Sequence, residues 1–216
     1  MSPAKKNILL ALISVAAIAG SAGWIYYHEF KAPKHNVALH ARVGEIMAEQ
    51  AAKLAGPKGN LLLITMGTAG EPELQTQLES FRRALKKLGS YELKEHELDT
   101  KDQPKYGLGT GLSGRRFVRA ARNNPKVDLI VSFVGAPKLS EEELAEVPKL
   151  PKFLAESRSP DNLPKLFEKH VIQVAVVSRF TFPAPGPVRP KTTEDWFNKR
   201  FQIVAADSVK NIPPAE

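Results

Sequence analysis

A glycine run, Gly107-Leu-Gly-Thr-Gly-Leu-Ser-Gly114, ends directly before Arg115 and Arg116. An anion site needs residues of these types in this order: backbone amides made accessible by glycine at a helix start, with cations beside them. The spacing departs from the known phosphate signatures. It does not follow the dinucleotide fingerprint, it lacks the lysine of the Walker loop, and no strand leads directly into it. It reads as a glycine-hinged loop in which Gly111, Ser113 and Arg115 are candidate ligand contacts. Other reactive residue types are scattered. Ser113 and Ser132 lack the strained Gly-x-Ser-x-Gly elbow, and His96 and His170 have no evident partner for nucleophilic chemistry. His170 precedes a strand and reads as a helix-end residue. Asp99, Asp102 and Asp128 form no carboxylate group, because Asp128 falls at the start of its strand and faces the wrong end of the sheet. His35 and His40 match no standard zinc spacing and read as exposed polar residues. The absence of cysteine excludes disulfides, thiolate catalysis, iron–sulfur ligation and Cys-type zinc sites. No catalytic residue, no metal and no cofactor is expected.

Any ligand contacts must be positioned by regular elements, and these are more legible. Leu61 to Ile64, within Gly59–Met66, is a continuous apolar run that suits a strand covered on both faces. Gly67 stops it, and Gly70 with Pro72 re-aims the chain. Leu74, Leu78, Phe81, Leu85 and Leu88 then recur at steps of three and four, the apolar stripe of a helix. Glu71 and Glu73 at its start and Lys86 and Lys87 at its end complement the macrodipole, and Gly89 stops it. Tyr91–Leu98 alternates with charges and reads as an edge strand. Arg115–Asn124 is a helix burying Phe117, Val118 and Ala121, closed before Pro125.

Val127–Val134 is a second buried strand, ending at Gly135-Ala136-Pro137. Ser140-Glu-Glu-Glu143 reads as a capping box. Residues 149–164 carry several prolines and read as partly irregular, and Leu163–Lys169 as a short helix begun by Asp161 or Asn162. Val171–Val177 is a third buried strand, followed by Ser178 and Arg179. The proline-rich Phe182–Pro190 suits a segment that drapes over the domain or reaches a partner. Thr193 caps a short helix, and Phe201–Ala206 is a last edge strand. This order implies an α/β, doubly wound, mostly parallel five-stranded sheet with helices on both faces, strand order 2-1-3-4-5, preceded by one transmembrane helix. Ligands of such sheets sit at the carboxyl ends of strands where the order reverses. There Gly67, Thr68, Gly70, Gly135, Ser178 and Arg179 are the candidate contacts.

Asn124-Pro-Lys-Val-Asp-Leu-Ile-Val-Ser-Phe-Val-Gly135, with Leu62–Ile64 and the Glu73–Leu88 helix, resembles one lobe of the type I periplasmic sugar-binding family. The resemblance covers roughly residues 59–178. It implies a strand of the form Asp-x-Ile-Val ending at a ligand-facing loop. The family closes two similar lobes on its sugar, and this chain has room for one.

Residues 1–30 read as a short tail with Lys5 and Lys6 and an uncleaved membrane anchor, the alternative being a secretory signal peptide cleaved at Ala17-Ile18-Ala19. Ile8–Tyr27 is uncharged, and about 20 residues at about 1.5 Å each span the hydrocarbon. Trp24, Tyr26 and Tyr27 mark its far boundary, and the basic tail places the domain on the extracytoplasmic, periplasmic side. Residues 31–58 are a tether and a lead-in helix, 59–207 the domain and 208–216 a tail. The net charge of +8 favours anionic partners, but the bases are interspersed with acids rather than clustered with aromatics, which argues against nucleic acid. Three functions remain open. The first is a non-catalytic accessory or scaffolding subunit of a membrane complex, contacting other subunits and the bilayer through residues 8–27. The second is a small-molecule, sugar-like binding or sensor module. The third is a hydrolase or transferase.

Overall fold

The computed structural model describes residues 3–26, 35–98, 112–147, 149–158, 162–179 and 190–209. It contains two units, Met1–Asn36 and Val37–Glu216. The first holds helix α1 (Pro3–Ile25). Its Asn7–Ile25 stretch, 19 residues, is long and apolar enough to cross a membrane. The Ser14 hydroxyl donates to the Leu10 carbonyl one turn back, so the polar group is satisfied within the helix.

The second unit runs α2 (Val37–Ala55), β1 (Lys58–Met66), α3 (Pro72–Leu88), β2 (Ser90–Leu98), α4 (Gly114–Asn123), β3 (Leu129–Ser132) and α5 (Glu141–Ala145). It continues through β4 (Lys152–Ser157), α6 (Leu163–Glu168), β5 (Val174–Ser178), α7 (Thr193–Arg200) and β6 (Phe201–Ala205). The strands form one sheet in the order β2-β1-β3-β4-β5-β6, parallel except for the β5–β6 pair. It is the doubly wound, mostly parallel sheet that the apolar runs predict.

Because successive residues of a strand face opposite sides, the sheet feeds two cores. Leu62, Ile64, Ile130, Phe153, Ala155, Ala175 and Val177 pack with α4 and α6 on one face. Leu61, Leu63, Leu129, Val131, Leu154, Val174 and Val176 pack with α2, α3 and α7 on the other. Phe117 and Phe153 meet edge to face in the first core, Phe81 and Phe133 in the second. The lead-in helix belongs to the second core: Leu39, Val43, Ile46 and Met47 are buried there. At Gly44 a Cβ would run into the Gln77 carbonyl of α3, so glycine permits this close helix crossing.

The structure departs from the sequence reading at particular residues. It has six strands rather than five, because β4 lies in the stretch read as partly irregular. Phe153, Leu154 and Ala155 are fully buried, and Pro151 stands just ahead of the strand, where no ladder amide is required of it. Thr192, not Thr193, caps α7, in a reciprocal capping box with Asp195. The Ser140–Glu143 capping box of α5 is present. Gly89 ends α3 with extended backbone (φ 173°), and its role is close approach: a Cβ would strike the Pro57 carbonyl and the Tyr91 ring. His40 is not an exposed polar residue. Its side chain is 12% exposed, lies 3.6 Å from the Glu73 carboxylate and shares a 3.2 Å hydrogen bond with Gln77. His170 has the left-handed backbone (φ 56°) of a residue turning out of a helix. Asp99, Asp102, Gly107, Gly109, Gly111, Phe182 and the rest of residues 180–189 lie outside the described residues.

Candidate functional site

The carboxyl ends of β1, β3, β4 and β5 share one edge of the sheet, and the order reverses between β1 and β3. After β1, Gly67, Thr68 and Gly70 form the turn into α3. The Glu71 amide donates to the Thr68 carbonyl (2.9 Å), and Gly70 takes a left-handed φ of 83° that a side chain would strain. Pro72 opens α3 and no side chain caps it, so the helix presents its positive end to this edge. After β3 the chain turns tightly. The Ser132 hydroxyl donates to the Gly135 carbonyl (2.8 Å) and accepts from the Val134 amide (3.2 Å), with Gly135 at φ 95°. Ser132 is fully buried and committed to this turn, which makes it a structural hydroxyl and not a nucleophile.

Ser113, Arg115, Ser178 and Arg179 are placed as follows. Ser113 caps α4 by accepting from the Arg116 amide, and its backbone bridges to Lys138 of the loop after β3. Arg115 projects from the exposed side of α4 beside Val118, Arg119 and Glu146. Ser178 and Arg179 end β5, where the Arg179 amide donates to the Arg200 carbonyl (2.8 Å). β4 separates them from β3, so they stand about 10 Å from β3, two strand spacings, and not beside the reversal point.

In their place the structure brings up Glu156, Ser157 and Arg158, which the sequence reading did not single out. Glu156 lies one step past the Ser132–Ala155 register pair, beside Phe133 and opposite Val176, on the face covered by α2 and α3. It is 5% exposed. Burial pushes its carboxyl up to about 7, the neighbouring Arg158 guanidinium pulls it down, and the Glu73 carboxylate adds to the rise. The signal available in sequence was a glutamate directly after three apolar residues, with an arginine two positions on. The described residues offer no cluster of His, Asp or Glu suited to a metal ion. The edge therefore combines turn amides, the hydroxyl of Thr68, a buried carboxyl and the exposed Arg158 guanidinium. This is a set for hydrogen bonding a polar molecule, and none of the groups is arranged as a nucleophile with its base.

No family model matches the chain, and no curated protein matches it. Solved structures do. An ABC transporter solute-binding protein from Burkholderia graminis, in complex with D-arabinose, superposes with a TM-score of 0.55 at 20% identity over 81% of this chain. The arabinose-binding protein AraP of Geobacillus stearothermophilus gives 0.57 at 16% identity over 81% of this chain. A LacI-type transcriptional regulator from Bacteroides fragilis gives 0.50 at 10% identity over 81%. The chain spans 62% to 63% of the length of these three proteins. At these identities the likeness is one of fold. The fold is that of a type I periplasmic-binding-protein-like lobe.

Proposed function

We propose that the Val37–Glu216 unit is a ligand-binding module that takes a small, sugar-like, hydroxyl-rich molecule at the carboxyl edge of β1, β3 and β4. The observation that carries this reading is the strand reversal between β1 and β3, flanked by the Gly67–Gly70 and Ser132–Gly135 turns. Sheets of this topology hold ligands at that point, and two of the fold relatives are described as an arabinose-bound solute-binding protein and an arabinose-binding protein. Sugar hydroxyls both donate and accept, which suits an edge that mixes amides, a carboxyl and a guanidinium. Thr68, Gly70, Gly135 and Arg158 are the proposed contacts, with Ser178 and Arg179 at the periphery. In the same reading α1 anchors the unit, with Lys5 on the cytoplasmic side and the module outside.

Calorimetric titration of the full chain in detergent with a panel of pentoses and hexoses tests this. At least one sugar is expected to bind, and Arg158→Ala is expected to weaken it about tenfold or more, as for the loss of a charged hydrogen bond. No binding anywhere in the panel overturns the reading. A second reading, a non-catalytic accessory subunit of a membrane complex, is favoured by α1 and by one further observation. Two concavities among the described residues lie on the outer faces of α4 and β2, where a protein partner could seat. Native-mass analysis of the gently extracted chain tests it: a discrete larger assembly supports a subunit, and a lone monomer removes that reading.

A further inference from the structure

We propose that the outer face of α4 is a second binding site, separate from the strand edge, that takes a phosphate-type anion on Arg115 and Arg119. Arg115, Arg119 and Arg122 are spaced four and three residues apart, so they form one stripe on the exposed side of the helix. They border a concavity of about 440 Å³, to which Val118, Asn123 and Glu146 also contribute. Arg122 donates to Glu146 (3.0 Å) and is neutralised there. Arg115 and Arg119 have no hydrogen-bond or ion-pair partner among the described residues.

This placement works against folding. Like charges one turn apart repel, and a helix whose first turn holds no acid leaves its positive end facing further positive charge. Two other guanidinium groups of the molecule are held by carboxylates. Arg42 meets Glu45, Glu49 and Glu194, and Arg82 grips both oxygens of Glu95. Among the described residues, no acid of the adjacent α5 pairs with Arg115 or Arg119. Glu141 is held by Lys165 and Lys169, and Glu143 by the capping box. A stripe of like charges that costs helix stability, two of whose three members carry no carboxylate among the described residues, is open to a counter-charge. Two planar guanidiniums one helical turn apart suit the several oxygens of a phosphate better than a single carboxylate. A dissolved phosphate compound and a phospholipid headgroup offer the same chemistry.

The test uses the full chain in phosphatidylcholine nanodiscs, titrated with inorganic pyrophosphate. The expected result is binding that falls with added salt, weakens about tenfold or more in Arg119→Ala, and tightens in Glu146→Gln. In the second arm, phosphatidylglycerol is added to the discs and hydrogen exchange of α4 is followed. Slowed exchange that Arg119→Ala abolishes assigns the site to a lipid headgroup, and the pyrophosphate response assigns it to a free anion. Arg119→Ala replaces an exposed residue by the best helix former and relieves repulsion, so it folds. The site is overturned if neither arm responds, or if Lys87→Ala, which removes one exposed charge from α3, weakens binding as much as Arg119→Ala does.

Discussion

Glu156 makes the energetics of a single side chain visible. Its folded carboxyl titrates near 7, well above the 4.5 of the open chain, because burial disfavours the charge. The charged groups around it are Glu73 from α3 and Arg158 just beyond β4, with His40 of α2 reaching Glu73. Below pH 4.5 both states are protonated and the group contributes nothing. Between 4.5 and about 7 the folded chain keeps its proton while the unfolded chain releases it. Stability therefore falls as pH rises through that window and levels off above it. The full loss is on the order of 3 kcal/mol for a shift of this size. Urea denaturation at pH 5 and pH 8 should show the wild-type chain weaker at pH 8. Glu156→Gln, which cannot ionise, should flatten that difference and be the more stable variant at pH 8. A wild-type chain equally stable at both values would show that the carboxyl is solvated.

At the scale of elements, the crossing of α2 over α3 rests on Gly44. Alanine would bring roughly 1 kcal/mol of helix propensity, but its methyl would meet the Gln77 backbone, which cannot swing aside as a flexible side-chain tip can. Overpacking of this kind costs about 1–3 kcal/mol. Gly44→Ala should therefore lower the denaturation midpoint, and a rise would mean that the two helices separate easily. Which elements were legible in the sequence follows from how each is stabilised. β1 and β3 declare themselves because Leu61–Ile64 and Leu129–Val131 are apolar on both faces, and α3 because Leu74, Leu78, Phe81 and Leu85 repeat at helical steps. β4 does not, because Pro151 stands beside it and its run is interrupted after Ala155 by a charged residue that only the assembled sheet can bury. The same residue hid part of the candidate site. Glu156 and Arg158 take their places only once β4 joins the sheet, and its insertion moves Ser178 and Arg179 one strand outward. The stripe on α4 was hidden differently. The glycines before Arg115 point to a loop, whereas what groups it with Arg119 and Arg122 is the face of the helix.

For the whole molecule, the proposed anchoring of α1 has a direct check that the composition makes clean. The chain has no cysteine, so Asp207→Cys, at an exposed position after β6, gives a single thiol. A membrane-impermeant maleimide should label it in intact cells if the second unit lies outside the cytoplasm, and only after lysis if it lies within. The path of the chain through that unit has a practical consequence. α2 begins beside the carboxyl edge, since His40 of its first turns reaches Glu73 at the start of α3, and it ends at the opposite edge, where Lys152 at the start of β4 donates to the Leu54 carbonyl. β6 runs antiparallel to β5 and stops with Ala205 beside Val174, also at that opposite edge. The start of α2 and the end of β6 thus stand at opposite poles of the sheet. A sensor chip that grips the chain just after β6 leaves the strand reversal facing the solution, whereas one that grips it ahead of Val37 turns the same surface toward the support.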